Sequence, residues 1–133
     1  MDNNELLSLA RRAEERAYAP YSGVRVGAAL LAESGRVYLG ANIENSAFSP
    51  SLCAERVAFS AALMAGERNF LKIAVTASRG DEALSKFPPC GVCRQVMAEF
   101  CRDSFEIILE GGEGAERYSL SALLPNRFDK TSL

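Results

Sequence analysis

The stretch Leu71–Leu109, LKIAVTASRGDEALSKFPPCGVCRQVMAEFCRDSFEIIL, decides the fold class. Its first seven residues, LKIAVTA, and its last five, FEIIL, are apolar and rich in β-branched side chains, which predicts two buried strands over 71–77 and 105–109. Between them, Lys86-Phe87-Pro88-Pro89 forms a stiff entry to a predicted helix over Gly91–Cys101. A strand, a helix and a second strand in this order imply a right-handed crossover between parallel strands.

The chain on either side extends the same alternation of helices and strands. In chain order, the other predicted elements are a helix over Glu5–Ala17 capped by Asn3 or Asn4, a β-hairpin of strands Val24–Ala32 and Arg36–Gly40, a helix over Cys53–Ala65, and a short helix over Leu120–Leu124 capped by Ser119. We therefore expect one α/β domain over residues 1–133. Its predicted architecture is a three-layer α/β/α sandwich around a mixed, mostly parallel sheet with an antiparallel N-terminal hairpin.

Composition and charge limit the classes of function. Of the 133 residues, 48% are hydrophobic and 24% are charged, as in ordinary globular proteins. The formal net charge of −2 provides no basic stripe for phosphates, so no nucleic-acid partner is expected. No apolar run reaches the roughly 18–20 residues that span a bilayer, so no membrane association is expected either.

The four cysteines are expected to be reduced thiols. The acidic, polar N-terminus is unlike the basic start of a signal peptide, which favours a cytoplasmic location. Cys53 and the pair Cys90 and Cys93 stand at predicted helix starts, where free N–H groups and a partial positive charge favour thiolates. Three thiolates suit one tetrahedral zinc ion with an open position for water, whereas the Cys-x-x-Cys pair alone would also suit a redox site. Cys101 is predicted to fill the core.

Glu55 is the candidate proton carrier. The sequence has no histidine, so acid–base chemistry near pH 7 requires a carboxylate, Lys, Cys or Tyr. Glu55 follows Cys53 by two residues, and such positions point about 200° apart on an ideal helix. Both can therefore reach one site only if Cys53 is the cap of its helix. Zinc-dependent nucleobase deaminases have this pattern, a ligand-x-Glu followed by Pro-Cys-x-x-Cys, with a three-cysteine variant.

The chain resembles the small, bacterial-type cytidine deaminases over nearly its whole length. The segments that carry the resemblance are Tyr18-Ala19-Pro20-Tyr21-Ser22, Val26-Gly27-Ala28-Ala29-Leu30, Asn42-Ile43-Glu44-Asn45, Cys53-Ala54-Glu55-Arg56, Pro89-Cys90-Gly91-Val92-Cys93-Arg94-Gln95 and Leu123-Leu124-Pro125. In combination these segments are highly specific.

The resemblance implies a zinc-dependent hydrolase that uses water to convert cytidine or 2′-deoxycytidine to the uridine product and ammonia, in pyrimidine salvage. It assigns one zinc ion per chain to the three helix-start cysteines and proton transfer to Glu55. It assigns nucleoside binding to Asn42, Ile43 and Glu44, with the Asn and Glu side chains holding ribose hydroxyls. It also implies a homotetramer in which Phe128 of one chain covers the base in a neighbour's pocket.

Other residues bear on the details of this site. Zinc with three thiolates carries a net charge of −1, and Arg56, donating to the sulfurs, would withdraw part of that charge. Relatives often have phenylalanine where Val24 stands, so base packing is expected to differ here. Serine is usual where Pro88 stands, but the backbone carbonyl expected to meet the amino group is kept, and neither departure is expected to affect the chemistry. The alanine-rich stretch 57–63 allows close helix approach and suits a subunit interface.

Three alternatives remain open at this point. A deaminase of another cytosine-containing small molecule, of the blasticidin type, would keep the metal site and the catalytic glutamate. Deaminases of that type, however, lack an arginine at the position of Arg56 and lack the Asn-x-Glu segment. A non-catalytic zinc-binding module would leave Glu55 without a role. A dithiol redox protein would use Cys90 and Cys93 and leave Cys53 idle. Zinc analysis and an assay on cytidine separate these readings.

Overall fold

The structure is a computed structural model that describes residues 1–133. Its elements in chain order are α1 (Asn3–Ala13), β1 (Val24–Ala32), β2 (Val37–Ala41), α2 (Ala54–Met64), β3 (Phe70–Arg79), β4 (Glu82–Leu84), α3 (Gly91–Phe100), β5 (Glu106–Gly111), β6 (Gly114–Ser119) and α4 (Leu120–Leu123), with 3₁₀ turns at Glu14–Arg16 and Lys130–Ser132. None of the helices combines the length and the apolar character needed to cross a membrane.

The six strands form one mixed sheet in the order β2-β1-β3-β5-β6, and β4 pairs with the C-terminal end of β3. Strands β3 and β5, joined through α3, are parallel, as predicted. Every other pairing is antiparallel, so the expectation of a mostly parallel sheet is wrong. The difference arises because β1 pairs antiparallel with β3 and because β4 and β6 add two further antiparallel pairings. Strands β4 and β6 were not predicted because their sequences, EAL and GAERYS, lack an apolar face.

Helices cover both faces of the sheet, which confirms the three-layer α/β/α sandwich. On one face, Leu6 and Ala10 of α1 pack against Ala29, Leu31 and Ile108 of the sheet. On the other face, a larger core joins α2 and α3 to the alternate residues of the same strands. Strand β1 is buried on both faces because successive side chains of a strand point to opposite sides.

The helix boundaries largely follow the predictions, with one correction at the N-terminus. Asp2 caps α1, since its carboxylate accepts the N–H of Glu5 at 2.8 Å, and the predicted caps Asn3 and Asn4 lie inside the helix. At the other end of the chain, Ser119 is confirmed as the cap of α4. Asp2 was overlooked because three adjacent residues can all act as N-caps.

Two glycines let the helices approach the sheet closely. A Cβ on Gly27 would lie 1.9 Å from the carbonyl oxygen of Ala10 in α1. A Cβ on Gly40 would lie 2.2 Å from the carbonyl oxygen of Ala54, the first residue of α2. Gly40 thus fixes how near the N-terminus of α2 comes to β2, and this N-terminus forms part of the candidate site.

A buried carboxylate joins α1 to the sheet on the face away from that site. Glu14, only 5% exposed, accepts hydrogen bonds from Thr76 Oγ1 at 2.5 Å and Ser78 Oγ at 2.6 Å. Arg11 Nη1 lies 2.8 Å from the same carboxylate, and Arg11 Nη2 reaches Glu110. Every acceptor oxygen of Glu14 therefore faces a donor, as a buried charge requires.

Candidate active site

The N-termini of α2 and α3 meet at one end of the sheet and bring the predicted ligands together. Cys53 is the N-cap of α2 and Cys90 is the N-cap of α3, both with extended backbone, and neither N-cap side chain accepts an intrahelical hydrogen bond. Cys93 lies in the first turn of α3. The prediction that Cys53 is a cap is confirmed, and it removes the conflict in direction between Cys53 and Glu55.

The three sulfur atoms form a cluster of the right size for a metal ion. Cys53 Sγ lies 3.6 Å from Cys90 Sγ, and Cys90 Sγ lies 3.5 Å from Cys93 Sγ. All three atoms are within 4.8 Å of one another, and all three cysteines are free thiols. Tetrahedral zinc with Zn–S bonds of about 2.3 Å requires sulfur separations of about 3.8 Å, so these residues fit one zinc ion.

Local electrostatics favour a thiolate at Cys53. Hydrogen bonds from Cys93 and Cys90, together with the Arg56 guanidinium, lower the pKa of Cys53 to about 5. Arg56 Nη2 lies 4.0 Å from Cys53 Sγ and donates to the carbonyl oxygen of Ser51 at 2.9 Å. Arg56 is thus held beside the sulfur cluster, the position that charge withdrawal from the thiolates requires.

Glu55 lies in the first turn of α2, directly behind the cysteines. Its side chain is almost completely buried, with 4% of the residue exposed. Burial raises the pKa of Glu55 to about 7, and the negative charge of Cys53 acts in the same direction. Glu55 is therefore a carboxyl group that can both bind and release a proton near neutral pH.

A cavity of about 570 Å³ opens in front of the cluster. It is large enough for a small ligand such as a nucleoside. The residues that line it are Ser22, Val24, Val26, Asn42, Glu44, Phe48, Ser51, Leu52, Cys53, Ala54, Glu55, Arg56, Phe87, Pro88 and Cys90. The structure thus brings Asn42, Glu44, Arg56 and Glu55 to a cavity that two of the three clustered cysteines, Cys53 and Cys90, also line.

Asn42 follows β2 and is fixed by β1. Its Oδ1 accepts the N–H of Val26 at 2.8 Å, and its Nδ2 donates to the carbonyl oxygen of Val24 at 2.9 Å. A carboxamide has two N–H donors and an oxygen with two lone pairs, so one donor and one acceptor position of Asn42 stay available. Asn42 is buried, and its amide is held in a single orientation at the cavity wall.

Glu44 is held by the loop that precedes β1. Its Oε1 accepts the backbone N–H groups of Tyr21 and Ser22 at 3.0 and 3.1 Å, and its Oε2 accepts Ser22 Oγ at 2.5 Å. The hydrogen bond from the Ser22 hydroxyl, reinforced by the two backbone N–H groups, lowers the pKa of Glu44 below its usual value. Glu44 therefore faces the cavity as a carboxylate.

Two predicted residues lie outside this cavity. Ile43 lines a separate cleft with Arg16 and Leu39, and its backbone bridges Tyr18 and Leu52. Phe128 is 62% exposed and does not line the cavity of its own chain, although its carbonyl oxygen accepts a hydrogen bond from Gln95 Nε2 at 2.8 Å.

Sequence reasoning overlooked several residues that shape the site. Ser22 binds Glu44, and the pattern Ser22-Gly23-Val24, in which a hydroxyl accepts the N–H two residues later, was a signal for it. Arg94 donates to the carbonyl oxygens of Pro89 and Leu123, both at 2.8 Å, and so braces the turn that carries Cys90. The local pattern indicates only the turn at Ser22, since Glu44 lies 22 residues later in the chain, and the partners of Arg94 are backbone oxygens that leave no sequence signal.

Comparison with known proteins decides the family. The sequence profile described as the cytidine and deoxycytidylate deaminase zinc-binding region matches residues 1–108. The chain belongs to this deaminase family. The three-cysteine cluster of this family member fits one zinc ion, as the description of the region implies.

Relatives of this deaminase extend over the whole chain. A cytidine deaminase from Sporosarcina psychrophila is 46% identical over 134 residues, which cover 100% of this chain and 96% of that protein. A cytidine deaminase from Halalkalibacterium halodurans is 43% identical over 129 residues, which cover 96% of this chain and 95% of that protein. The crystal structure of cytidine deaminase from Burkholderia pseudomallei superimposes with a TM-score of 0.86 at 40% identity, covering 96% of this chain and 100% of that one. The family resemblance and the predicted α/β fold class are thereby confirmed.

Proposed function

We propose that the protein hydrolyses cytidine and 2′-deoxycytidine to uridine and 2′-deoxyuridine with release of ammonia. The observation that carries the proposal is the convergence of a three-cysteine metal cluster and a buried glutamate, Glu55, on one cavity that is also lined by Asn42 and Glu44. The relatives named cytidine deaminase support the same substrate class.

Cys53, Cys90 and Cys93 would hold the zinc ion. When bound, zinc would supply Lewis-acid chemistry, lowering the pKa of the attacking water. Glu55 would accept a proton from that water as the C4–O bond forms and deliver it to N3 of the ring. It would then carry the second proton of the water to the amino group, so that the C4–N bond breaks, ammonia leaves and the carbonyl group of the uridine product remains. Burial of Glu55 keeps bulk solvent away from the proton in transfer. Arg56 would balance the negative charge of the thiolates.

Asn42 and Glu44 would bind the sugar. The hydrogen bonds to β1 leave Asn42 one N–H donor, and those from Tyr21 and Ser22 leave Glu44 one acceptor position. One donor and one acceptor together match a single hydroxyl group, which accepts and donates at once. A hydroxyl present in both cytidine and 2′-deoxycytidine, such as the 3′-hydroxyl, would satisfy this pair. Ile43 would contribute through its backbone, between these two side chains.

A homotetramer with shared sites would complete the pocket. The cavity is open to solvent on one side, and Phe128, 62% exposed, lies outside it in the same chain. A neighbouring chain could place Phe128 over the pyrimidine, where an aromatic face binds a base by stacking. The alanine-rich α2, with Ala61 and Met64 exposed, offers a surface for such an assembly.

Salvage of pyrimidine nucleosides is the process that this reaction would serve. A cytoplasmic location would keep the three thiol ligands reduced and able to bind zinc. In this proposal residues 1–133 form one cytidine deaminase-like domain with one zinc ion per chain.

The direct test is a spectrophotometric assay of cytidine and 2′-deoxycytidine with protein of measured zinc content. We expect turnover of both nucleosides and an equimolar release of ammonia. Absence of turnover by fully zinc-loaded protein would contradict the proposal. Competition by a cytosine oligonucleotide as strong as that by cytidine would contradict a pocket built for free nucleosides.

A further inference from the structure

Ser22 is the only side chain that donates a hydrogen bond to the carboxylate of Glu44. Its hydroxyl donates to Glu44 Oε2 at 2.5 Å. Ser22 Oγ in turn accepts a hydrogen bond from the N–H of Val24 at 3.0 Å. Because the N–H of Val24 occupies one acceptor position of Ser22 Oγ, the hydroxyl hydrogen points to Glu44. Val24 in turn accepts a hydrogen bond from Asn42 through its carbonyl oxygen. One continuous chain of hydrogen bonds therefore connects Glu44, Ser22, Val24 and Asn42.

This connection determines how well Glu44 is prepared for a ligand. A glutamate side chain loses conformational entropy when it is ordered, so a side chain already fixed in the binding orientation binds its ligand more tightly. No lysine or arginine forms an ion pair with Glu44, so hydrogen bonds alone fix its orientation. Among them, the bond from Ser22 Oγ is the only one to Oε2, the oxygen that keeps an acceptor position for the ligand.

We propose that Ser22 is a positioning residue that orders Glu44 for a ribose hydroxyl, and that it thereby favours substrates that carry this hydroxyl. The inference rests on the proposed function, in which Glu44 contacts the sugar. Ser22 lines the cavity, but its hydroxyl is engaged with Glu44 and the N–H of Val24, so its effect is on substrate binding and not on the chemical step.

A purely structural role for Ser22 gives a different expectation. Ser22 also stabilises the turn before β1, where Gly23 has a φ of +73°. If that were its whole role, its loss would weaken every substrate alike. If Ser22 acts through Glu44, only substrates with the ribose hydroxyl lose affinity.

The experiment compares Ser22→Ala and Ser22→Thr on cytidine and on 2′,3′-dideoxycytidine. The control is Ser49→Ala, an exposed serine outside the cavity lining, which should leave the KM for both nucleosides unchanged. We expect Ser22→Ala to raise the KM for cytidine roughly 5- to 20-fold with kcat nearly unchanged. This is the range expected when a charge-assisted hydrogen bond between Glu44 and the ligand is partly lost. We expect no change with the dideoxynucleoside, read as an inhibition constant if its turnover is slow. Ser22→Thr keeps the hydroxyl and should restore most of the affinity. Equal losses for both nucleosides, or no recovery with threonine, would overturn the inference.

Glu44→Ala separates failure of this inference from failure of the proposed function. If Ser22 acts through Glu44, then Ser22→Ala combined with Glu44→Ala should bind cytidine no more weakly than Glu44→Ala alone. A further loss in the double variant would contradict the positioning role. If Glu44→Ala raises the KM and Ser22→Ala does not, only the inference fails. If Glu44→Ala leaves the KM unchanged, the proposed sugar contact itself is wrong.

Discussion

Cys53 Sγ lies 3.6 Å from Cys90 Sγ, although 37 residues separate the two cysteines in the chain. The contact exists because α2 and α3 lie on the same face of the sheet and begin at the same end of it. Gly40 lets the first turn of α2 sit against β2, which sets the position of Cys53. The metal cluster therefore results from the placement of the two helices. Substitutions of its three cysteines should affect metal binding differently from substitution of the fourth cysteine, Cys101.

Replacing one ligand should remove zinc, whereas replacing Cys101 should not. Burial raises the pKa of Cys101 to about 12, so this thiol stays protonated, and it lies outside the sulfur cluster. We expect Cys90→Ser to lose most of its zinc and Cys101→Ser to keep one ion per chain with near-normal activity. Elemental analysis of the purified variants measures this. Loss of the metal from Cys101→Ser would show that the ligand set is wrong.

Arg56→Ala should weaken the metal site without unfolding the protein. The guanidinium lies beside Cys53 Sγ and is anchored on Ser51, and loss of such a supporting group typically costs about 10- to 100-fold in metal affinity or activity. Zinc affinity by competition with a chelator and kcat/KM for cytidine are the measurements. Arg102→Ala, which removes an exposed arginine far from the cluster, is the matched control. Equal behaviour of the two variants would argue against a role for Arg56.

Glu14→Gln should destabilise the fold while leaving the active site intact. The substitution places an amide N–H₂ group among the donors Arg11, Thr76 and Ser78, which all point at the carboxylate. We expect a loss of about 2–3 kcal/mol in the free energy of unfolding, the scale for hydrogen bonds to a buried charge. Urea unfolding measures it, with the exposed neighbour Glu15→Gln expected to stay within about 0.5 kcal/mol of the wild type. If Glu14→Gln lowers the free energy of unfolding by less than about 0.5 kcal/mol, the stabilising role of the buried network is contradicted.

Phe128→Ala should weaken cytidine binding if neighbouring chains share their sites. An aromatic ring stacked on a base contributes about 1–3 kcal/mol, so the KM should rise by roughly 5- to 150-fold. The point substitution is preferable to truncation because Arg127 forms ion pairs with Asp103 and Asp129 in the same tail. Light scattering should give a tetramer for the wild type and for Phe128→Ala. Leu133→Ala, which truncates an exposed apolar side chain of the same tail, is the control and should leave the KM unchanged. An active monomer, or an unchanged KM for Phe128→Ala, would contradict the shared site.

The sequence predicted best where periodicity and helix signals were strong. Strand β1 over Val24–Ala32 is confirmed residue by residue, because both of its faces are buried from Val26 onward and that part of the strand is continuously apolar. The starts of α2 and α3 were also found, since they coincide with the cysteines and with Pro89. The metal cluster followed from those two starts.

The polar edges of the molecule were beyond what the sequence could predict. Strand β6, GAERYS, pairs with β5 as an edge strand whose exposed side chains carry no hydrophobic period. The orientation of Glu44 depends on Ser22 and Tyr21, which lie more than 20 residues earlier in the chain. Such contacts between loops leave no local signal, so they emerge only from the three-dimensional arrangement.

The measurement that tests the central claim most directly is the turnover of cytidine by Glu55→Gln with its zinc content determined on the same sample. The substitution keeps the shape of this buried side chain and removes its ability to carry a proton. We predict one zinc ion per chain, an unchanged fold, and a loss of activity at or beyond the upper end of the roughly 10²- to 10⁴-fold range of general acid–base catalysis. A zinc-loaded Glu55→Gln protein that retains more than about a tenth of the wild-type rate would contradict the account.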